Sequence, residues 1–369
     1  MKLLSIVIPT RGREYYCIEA IKDILSYKRE DFELVVCDNS DTDQIEDFIK
    51  QNPDERVVYQ HIHGRINSVL NMDTAMQMAT GEYVCMIGDD DTILPTIFEV
   101  TEKAKEIGAD NVTPINTINF YWPGALDDNG QVSWYNQFNK QWVKKICSEQ
   151  LYTFLKEGMI PYYNYLPRVY HGLTRNSVLQ NIKNKTGHII GGLSPDMYLS
   201  VAVSCLCTSF YVVNEPITVA GACAKSTTAQ SNTGGHRGEI KDAPHLWNRG
   251  SYEWDCHIPS VYSVETIWTE TAIKALSEMG RNELFIHINQ GYIFAQLLLN
   301  NRQIIGLSLK KIRKTQCYRK RFFVYTNILG YMVWKVYRLI MKKGHLEKIV
   351  VNNIADFKGA VSEFSLWTA

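Results

Sequence analysis

Short apolar segments alternate with segments of helical periodicity through about the first hundred residues of this 369-residue chain. The apolar segments have the length and composition of buried strands, and the segments between them repeat apolar residues at helical spacing. Strands that recur with helices between them pair in parallel through right-handed crossovers. We therefore predict an α/β fold. Its strands are expected at residues 3–8, 32–37, 56–62 and 83–87, and its helices at residues 14–27, 45–51 and 68–79.

Polar residues follow three of these strands directly. Thr10, Arg11 and Arg13 come after the first strand. Asp38 follows the second strand, and three aspartates at residues 89–91 follow the fourth. In open parallel sheets, ligands bind beyond the carboxyl ends of the strands. The convergence of these side chains predicts a binding site at this edge of the sheet.

The aspartates Asp89, Asp90 and Asp91 leave a buried strand together. Carboxylates in that position repel one another and resist desolvation unless a cation or hydrogen-bond donors compensate them. A divalent ion with hard oxygen ligands, shared with a diphosphate, is the usual compensation. The alternative is a solvated acidic turn before the helix that follows Pro95.

Beyond residue 110 the pattern changes. Residues 111–142 are strand-like and rich in turn signals, and the chain is mainly helical from about residue 243. Between these parts we predict helices at residues 148–157, 175–184 and 195–207 and strands at residues 210–213 and 217–220.

Charge and cysteine content restrict the partners and the compartment. Lys and Arg together number 39 and so do Asp and Glu, so net charge does not favour nucleic acid as a partner. The nine cysteines form no CxxC pair, which favours a reduced, cytoplasmic protein. No apolar segment reaches the roughly 20 residues that span a bilayer.

Three segments in the N-terminal part resemble, in order and spacing, the family 2 glycosyltransferases. They are SIVIPTRGRE at residues 5–14, ELVVCDNSDTD at residues 33–43 and ATGEYVCMIGDDDTILP at residues 79–95. A weaker resemblance over residues 165–230 includes YHGLTR and GGLSPD, and it is to bacterial polysaccharide-type members whose acidic motif also reads GDDD. Nothing past about residue 240 contributes to the resemblance.

The resemblance implies a fold and a domain organisation. Members of this family are inverting enzymes with the GT-A fold of nucleotide-diphospho-sugar transferases. We therefore expect a Rossmann-like, mixed and mostly parallel sheet flanked by helices, followed by a helical C-terminal extension. The implied catalytic domain covers residues 1–240, with a nucleotide-binding half at about 1–110 and an acceptor half at about 111–240. Residues 241–369 are the expected helical region.

The resemblance also implies nucleotide contacts. Pro9 and Thr10 match the loop that lines the nucleotide, although Arg11 and Gly12 stand where many members have Tyr-Asn. Asp38 matches the acid that hydrogen-bonds the nucleobase, and the alternative for it is an Asx turn. Arg11 and Arg13 of this loop are further candidate contacts to the nucleotide-sugar. Arg65 and Asn71 are also candidates, and surface roles are the alternative for these two.

The aspartate triplet matches the DxD motif of the family, whose acids hold the ribose and a Mg²⁺ or Mn²⁺ ion bound to the diphosphate. The resemblance favours Asp91 and Asp89 for the metal, but the sequence does not rank Asp90 below them. Asp89 and Asp90 are also candidate contacts to the nucleotide-sugar. His236 is a candidate third metal ligand, and the alternative is a solvated loop histidine.

Asp196 matches the acid that family members place after the acceptor-side region, so it is the candidate general base. The alternative is that residues 194–196 are an ordinary helix start, where aspartate is favoured without catalysis. His171 is a candidate contact to the acceptor or a core histidine.

Residues 310–343 interleave basic clusters with apolar and aromatic residues. Lys335 and Arg338 interrupt the apolar part, so we interpret this segment as an interfacial helix on the inner face of an anionic membrane rather than a spanning helix. The alternative is a terminal helix that packs on the catalytic domain and exposes a solvated basic face.

Together these features predict an inverting hexosyl- or N-acetylhexosaminyl-transferase. The donor would be a nucleotide-diphosphate sugar, preferably a UDP-sugar. The acceptor would be a hydroxyl of a glycan or lipid-linked oligosaccharide in the biosynthesis of a surface polysaccharide such as O-antigen or capsule. The alternative is a non-catalytic nucleotide- or carbohydrate-binding scaffold on the same fold. A nucleotidyltransferase ranks last, because Gly12 is the single glycine of the loop after the first strand.

Overall fold

The predicted alternation of strands and helices is confirmed in a computed structural model that describes residues 2–126, 128–136, 138–159, 166–226, 237–340 and 347–368. The first four strands are β1 (Leu4–Thr10), β2 (Phe32–Asp38), β3 (Val57–His61) and β4 (Tyr83–Met86). The helices between them are α1 (Glu14–Leu25), α2 (Gln44–Gln51) and α3 (Ser68–Met78). These seven elements start and end within two residues of their predicted bounds.

These four strands form the parallel half of an eight-stranded sheet, in the order β3-β2-β1-β4. Thr10 lies opposite Asp38 in the pairing of β1 with β2, and Asp38 lies opposite His61 in the pairing of β2 with β3. The carboxyl ends of the three strands therefore meet side by side, as the sequence predicts.

The other half of this sheet is mixed. Strand β10 runs antiparallel to both β4 and β6, β6 pairs in parallel with β11, and β9 closes the edge antiparallel to β11. The bounds are β6 (Asn111–Pro114), β9 (Trp142–Ile146), β10 (Leu173–Arg175) and β11 (Ser209–Val213). The prediction of an α/β fold with a mixed sheet is confirmed.

A second sheet of five strands has the order β15-β8-β7-β12-β5. Its strands are β5 (Thr92–Ile93), β7 (Ile118–Tyr121), β8 (Gln131–Tyr135), β12 (Thr218–Ala222) and β15 (Lys348–Asn352). Strand β5 follows the aspartate triplet directly, so the triplet lies in the turn where the chain passes from the first sheet to the second. A short pair, β13 (Gly238–Glu239) and β14 (Val261–Tyr262), forms a separate ribbon.

Nine further α-helices lie in the part of the chain that the structure describes. They are α4 (Thr96–Glu106), α5 (Cys147–Lys156), α6 (Asn176–Thr186), α7 (Pro195–Leu206), α8 (Val264–Glu278), α9 (Gln290–Asn300), α10 (Ile305–Lys314), α11 (Arg321–Ile340) and α12 (Phe357–Thr368). Helices α5, α6 and α7 confirm the three predicted helices between residues 148 and 207. Within the described residues, none of the helices has the length and apolar character needed to cross a membrane.

The eight-stranded sheet separates two apolar cores, because neighbouring residues of a strand point to opposite faces. Val7 and Val35 face the core that helices α3 and α7 complete. Ile6 and Leu34 face the core that helices α1 and α4 complete. The polar loops at the carboxyl ends of the strands lie between these cores, on a frame that is buried on both sides.

Helix α11 packs on the preceding helices with one face and exposes apolar residues on another. Tyr331 stacks edge-on against Tyr292 of α9, with ring centroids 5.0 Å apart, and Asn327 hydrogen-bonds Asn289 at 3.2 Å. Leu329 and Val333 remain 65% and 70% exposed. The helix therefore packs on the protein, as one of the two predicted alternatives states, and also presents an apolar surface.

The segment after α11 returns to the N-terminal part of the molecule, which the sequence does not predict. Strand β15 pairs antiparallel with β8, so it forms an edge of the second sheet. Phe357 of helix α12 packs against Trp122 with a centroid distance of 4.7 Å, and Phe364 packs against Trp134 at 5.5 Å. Trp122 and Trp134 are thus core residues covered by the C-terminal helix.

This packing predicts that Phe357→Ala lowers the free energy of unfolding by about 3–5 kcal/mol, the usual cost of removing a buried aromatic ring. Chemical denaturation followed by tryptophan fluorescence would measure the loss. Leu366→Ala on the same helix is the matched control, because Leu366 is 74% exposed and its removal should change stability little. Equal effects of the two substitutions would contradict the packing of α12.

Candidate active site

The aspartate triplet forms the turn between β4 and β5, and its three side chains have different surroundings. All three residues are buried, with at most 4% of their surface exposed. Burial of three carboxylates within one turn is costly unless each has charge partners or hydrogen-bond donors. The partners therefore indicate the role of each aspartate.

Asp91 is held entirely by protein groups. Its Oδ2 accepts hydrogen bonds from the Gly88 N–H at 2.6 Å and from the Tyr170 hydroxyl at 2.9 Å, and its Oδ1 accepts one from the Gly221 N–H at 2.7 Å. His171 Nε2 lies 3.3 Å from the same Oδ2. Burial favours the neutral acid, but the charge of His171 and these hydrogen bonds outweigh it and hold the pKa of Asp91 below its usual range.

Asp89 is paired with the loop after β1. Thr10 Oγ1 donates to its Oδ2 at 2.7 Å, and Arg13 forms an ion pair with its Oδ1 at 2.6 Å. Burial raises the pKa of Asp89 to about 7, even though the Arg13 charge opposes this shift, and the charge of Asp90 adds to it. Asp89 therefore connects the triplet to the first loop.

Asp90 is the member of the triplet that lines a cavity. Its Oδ2 accepts from the Cys223 N–H at 3.0 Å, and its Oδ1 lies 3.3 Å from Arg13 Nη1. Its backbone carbonyl accepts from the Trp122 indole at 3.1 Å, which fixes the turn. Burial and the charge of Asp91 raise the pKa of Asp90.

These contacts distinguish the three aspartates as candidate metal ligands. Both oxygens of Asp91 are engaged by protein donors, and Asp89 is engaged by Thr10 and Arg13. An additional ligand at either carboxylate would have to displace those partners. Asp90, which the sequence does not rank below the other two, has the position from which a carboxylate can meet a ligand in the cavity.

The cavity has a volume of about 380 Å³ and joins residues from distant parts of the chain. Asp90 lines it together with Pro9 and Arg13 from the loop after β1, and Asp196 lines it from the start of α7. The C-terminal region contributes further lining residues that the sequence does not indicate, namely His245, Val264, Ile267 and Trp268.

Asp196 lies in the first turn of α7 and is half-buried. Ser194 Oγ donates to its Oδ1, and the Met197 N–H donates to the same oxygen at 2.8 Å. These hydrogen bonds fit the predicted helix start, and they orient the carboxylate at the cavity wall. The helix-start alternative and the catalytic prediction are therefore compatible with one another.

The loops after β1 and β2 bind each other. Arg11 donates to Asn39 Oδ1 at 2.9 Å and forms an ion pair with Asp41 at 3.2 Å. Asp38 is fully buried, where it accepts from the Ser40 N–H at 2.8 Å and from the Tyr59 hydroxyl at 3.1 Å. The Asx turn predicted as the alternative for Asp38 is present, and its contact to a nucleobase stays a prediction.

The other predicted residues lie around these loops. Asn71 is buried and donates to the Thr10 carbonyl at 3.1 Å, so it supports the first loop from α3. Arg65 stacks on the Trp247 ring, with its guanidinium carbon 3.9 Å from the ring centroid. His236 lies outside the described residues.

Tyr170 and His171 hold the Asp91 carboxylate, a role that the sequence only partly predicts. The YHGLTR segment resembles the family, but its role in bracing Asp91 depends on a fold that brings residues 88, 91 and 171 together. His245 and Trp268 carry no sequence signal at all, since they lie where the family resemblance has ended.

The surroundings of Asp90 fit a divalent cation that is shared with a diphosphate, and they do not form a three-ligand protein cage. Mg²⁺ is commonly held by one or two carboxylates together with substrate phosphates. In the described part of the chain, the triplet is not among the sets of three side chains whose ligand atoms lie within 4.8 Å of one another. Those sets are Asp43 with His61 and His63, and Asp255 with Cys256 and His257.

Comparison with known proteins identifies the family. Residues 5–191 match the family model described as Glycosyl transferase family 2, which covers half of the chain. The chain belongs to the family 2 glycosyltransferases, and the predicted membership is confirmed.

Two curated relatives match about a quarter to a third of the chain. A protein of Escherichia coli (strain K12), provisionally named colanic acid biosynthesis glycosyl transferase WcaA, is 33% identical over 102 residues, which are 27% of this chain and 36% of the relative. The GalNAc(5)-diNAcBac-PP-undecaprenol beta-1,3-glucosyltransferase of Campylobacter jejuni is 30% identical over 112 residues, which are 29% of this chain and 36% of that protein. The matched region thus spans about a third of the length of these relatives.

Among solved structures, the chain is similar to Staphylococcus aureus TarS residues 1–349 in complex with UDP-GlcNAc. The TM-score is 0.48 at 12% sequence identity, and the alignment covers 91% of this chain and 92% of the TarS chain.

The contacts of the triplet predict that Asp91 and Asp90 differ in their effect on stability. Asp91→Ala leaves the buried N–H groups of Gly88 and Gly221 and the Tyr170 hydroxyl without their acceptor, so unfolding should become easier by about 3–5 kcal/mol. Asp90→Asn keeps an oxygen for the Cys223 N–H, and the loss of its ion pair with Arg13 is offset by the removal of repulsion between Asp90 and the other two aspartates. Its effect should therefore stay within about 1 kcal/mol. Urea denaturation of both variants would measure this difference, and a larger loss in Asp90→Asn would refute the assignment.

Proposed function

We propose that this chain transfers a sugar from a nucleotide-diphosphate donor to an acceptor hydroxyl, with inversion at the anomeric carbon. One observation carries the proposal. Asp90 and Asp196, from distant parts of a family 2 chain, line the same cavity at the carboxyl edge of the sheet. A carboxylate at each side of one cavity suits a single displacement, in which one side stabilises the leaving group and the other activates the acceptor.

On the donor side, we assign Asp90 to the diphosphate and its metal. A bound Mg²⁺ or Mn²⁺ would stabilise the negative charge that develops on the leaving phosphate. Arg13 lines the cavity and bridges Asp89 and Asp90, so it holds the two carboxylates at the cavity wall and adds a positive charge near the diphosphate. Pro9 and Thr10 are assigned to the nucleotide through the same loop.

The nucleobase is assigned to the loops that follow β1 and β2. Asp38 stabilises the second loop by accepting a hydrogen bond from the Ser40 N–H. Arg11 connects the first loop to the second by donating to Asn39. Arg65 and Asn71 flank the loops from the segment before and within α3. We take a UDP-sugar as the first donor to test.

On the acceptor side, we assign Asp196 as the general base. The hydrogen bonds from Ser194 and Met197 engage its Oδ1 and fix the orientation of the carboxylate at the cavity wall. A positioned carboxylate can accept the proton of a bound hydroxyl. A hydroxyl bound in the cavity between Asp196 and the sugar would lose its proton to this carboxylate as the new glycosidic bond forms and the bond to the diphosphate breaks.

For the acceptor, we propose a glycan or lipid-linked saccharide in polysaccharide or glycolipid biosynthesis. The names of the two relatives support this class, since one is named for colanic acid biosynthesis and the other for an undecaprenol-linked acceptor. The similarity covers less than a third of this chain in each case. We therefore infer only the general class of the acceptor from these relatives, not its identity.

The transfer chemistry predicts release of nucleoside diphosphate from one donor of a panel of UDP-, GDP- and dTDP-sugars, dependent on Mg²⁺ or Mn²⁺ and abolished by EDTA. The assay uses water or a lipid-linked saccharide as the acceptor. Asp196→Asn should slow the release of nucleoside diphosphate by about 10²–10⁴-fold, which is the usual contribution of a general base. A coupled assay for the released diphosphate would measure both effects.

Asp47→Asn is the matched control, because Asp47 also lies in the first turn of a helix, α2, and is exposed away from the cavity. The control should retain wild-type turnover. Asp196→Asn activity within about tenfold of wild type would remove Asp196 as the base. Absence of release from every donor would favour the non-catalytic scaffold.

We also propose that helix α11 docks the enzyme on an anionic membrane surface. Its exposed apolar residues Leu329 and Val333 lie on a helix that follows the basic helix α10. Apolar side chains that enter the interface and cations that attract anionic headgroups are the two elements of a peripheral helix. The cations of α10 and of the segment that leads into α11 are Lys310, Lys311, Arg313, Lys314, Arg319, Lys320 and Arg321.

This docking surface predicts that the full chain sediments with vesicles containing phosphatidylglycerol and that added salt weakens the binding. The double substitution Leu329→Glu and Val333→Glu should reduce the bound fraction at least fivefold, because a buried headgroup contact would acquire two charges. Leu126→Glu, at another exposed apolar residue, is the control and should bind as wild type does. Equal sedimentation of all three proteins would exclude α11 as the docking surface. Deletion of the C-terminal region is unsuitable here, since α12 and β15 belong to the folded core.

A further inference from the structure

We propose that His61, His63 and Asp43 form a second divalent-cation site, suited to Zn²⁺ and separate from the cavity that Asp90 lines. Their ligand atoms all lie within 4.8 Å of one another. His61 ends strand β3, His63 follows two residues later, and Asp43 precedes helix α2. The site therefore lies on the outer side of the loop that contains residues 39–43.

The hydrogen bond of His61 fixes which ring nitrogen can bind a cation. Nε2 lies 3.1 Å from the Ser40 carbonyl oxygen. A carbonyl can only accept, so Nε2 carries the proton, and in the neutral ring Nδ1 carries the lone pair. Histidines that bind metals usually donate their second ring N–H in this way, often to a backbone carbonyl.

The surroundings of His61 Nδ1 indicate that this site binds a cation. The atom is buried and makes no well-formed hydrogen bond within the described residues, and only carboxylate oxygens at ion-pair distance face it. The side chain as a whole is only 5% exposed. A buried polar atom without a partner is costly. Since Nδ1 is directed at the acidic residues before and within α2, a cation between them would remove that cost.

The spacing of the acidic groups fits a bridging cation better than a direct contact. Asp43 Oδ1 lies 3.4 Å from His61 Nδ1, and Glu46 Oε2 lies 3.8 Å from it. Two ligand atoms of a tetrahedral Zn²⁺ at bond lengths near 2.0–2.1 Å are about 3.3–3.4 Å apart. Asp43 also makes no side-chain capping bond at the start of α2, so capping does not explain its orientation.

His63 completes the nitrogen ligands. Its ring centroid lies 4.3 Å from that of His61, and the two planes are tilted by 41°. Two imidazoles with one carboxylate form a set that suits Zn²⁺ and similar borderline metals, whereas Mg²⁺ prefers oxygen ligands alone. A cation bound here would tie the start of α2 to the end of β3 and so brace the loop that holds Asn39 and Ser40.

The other three-ligand set, Asp255 with Cys256 and His257, lacks such an indication. His257 Nδ1 already pairs with Asp255 at 2.9 Å, and the His257 ring stacks on Tyr318 with centroids 4.0 Å apart. Its ligands are adjacent in sequence, so they do not join separate elements of the fold. This set serves as the internal control for zinc binding.

The test is a titration of tag-free full chain with ZnCl₂ in competition with a chromophoric chelator. Wild type should bind Zn²⁺ with micromolar or tighter affinity, and the melting temperature should rise by several degrees with excess metal. His63→Ala should weaken this binding at least tenfold, and it should not disturb folding because His63 is exposed. His61→Gln should have the same effect, whereas His257→Ala should retain the binding.

Substitution with Co²⁺ locates the bound metal by spectroscopy. A tetrahedral site of two histidines and a carboxylate should give intense visible absorption without the thiolate charge-transfer band that Cys256 would add. The proposal is overturned if wild type binds no Zn²⁺, if His63→Ala binds as wild type does, or if only His257→Ala loses the metal. In the first case, the contact between His61 and Asp43 is an ion pair of a protonated histidine. Since no readout involves sugar transfer, the result is independent of the proposed activity.

Discussion

The fold of this protein depends on one buried carboxylate. Asp91 accepts hydrogen bonds from the backbone N–H groups of Gly88 and Gly221 and from the Tyr170 hydroxyl, and His171 Nε2 lies 3.3 Å from its Oδ2. These partners come from three separate parts of the chain, so the carboxylate holds the turn after β4 against strand β12 of the second sheet. With that turn fixed, its neighbour Asp90 is positioned at the cavity. A carboxylate that stabilises the turn thereby positions the carboxylate that we propose for the chemistry.

The sequence predicts the parallel half of the sheet well because its signals are local. Apolar strands, helical periodicity and polar strand ends are all visible within short windows, and the bounds of β1 to β4 follow from them. Which of the three aspartates faces the cavity depends on contacts with distant parts of the chain. Asp90 faces the cavity and Asp91 does not because of Gly221 and Cys223, which lie about 130 residues further along the chain. Consecutive acids in a motif carry no local signal for such distant partners.

The C-terminal region shows the same limit on a larger scale. Its helical character is visible in the sequence, but the pairing of β15 with β8 joins residues more than 200 positions apart. An edge strand of five residues has little pattern of its own, and its partner is defined only once the second sheet exists. The sequence alone does not show that Trp122 and Trp134 are core residues, because Phe357 and Phe364, which pack against them, lie more than 200 positions further along the chain.

The late return of β15 and α12 has a consequence for biosynthesis of the protein itself. During translation the strands β1 to β4 emerge early and can pair, since their contacts are close in sequence. The indole of Trp122 donates a hydrogen bond to the Asp90 carbonyl. The Trp122 ring stays uncovered until Phe357 has been synthesised and can pack against it. The turn that contains Asp90 is therefore incompletely packed until helix α12 has left the ribosome. Prematurely terminated chains should expose these aromatic rings to chaperones and proteases rather than accumulate as partly active enzyme.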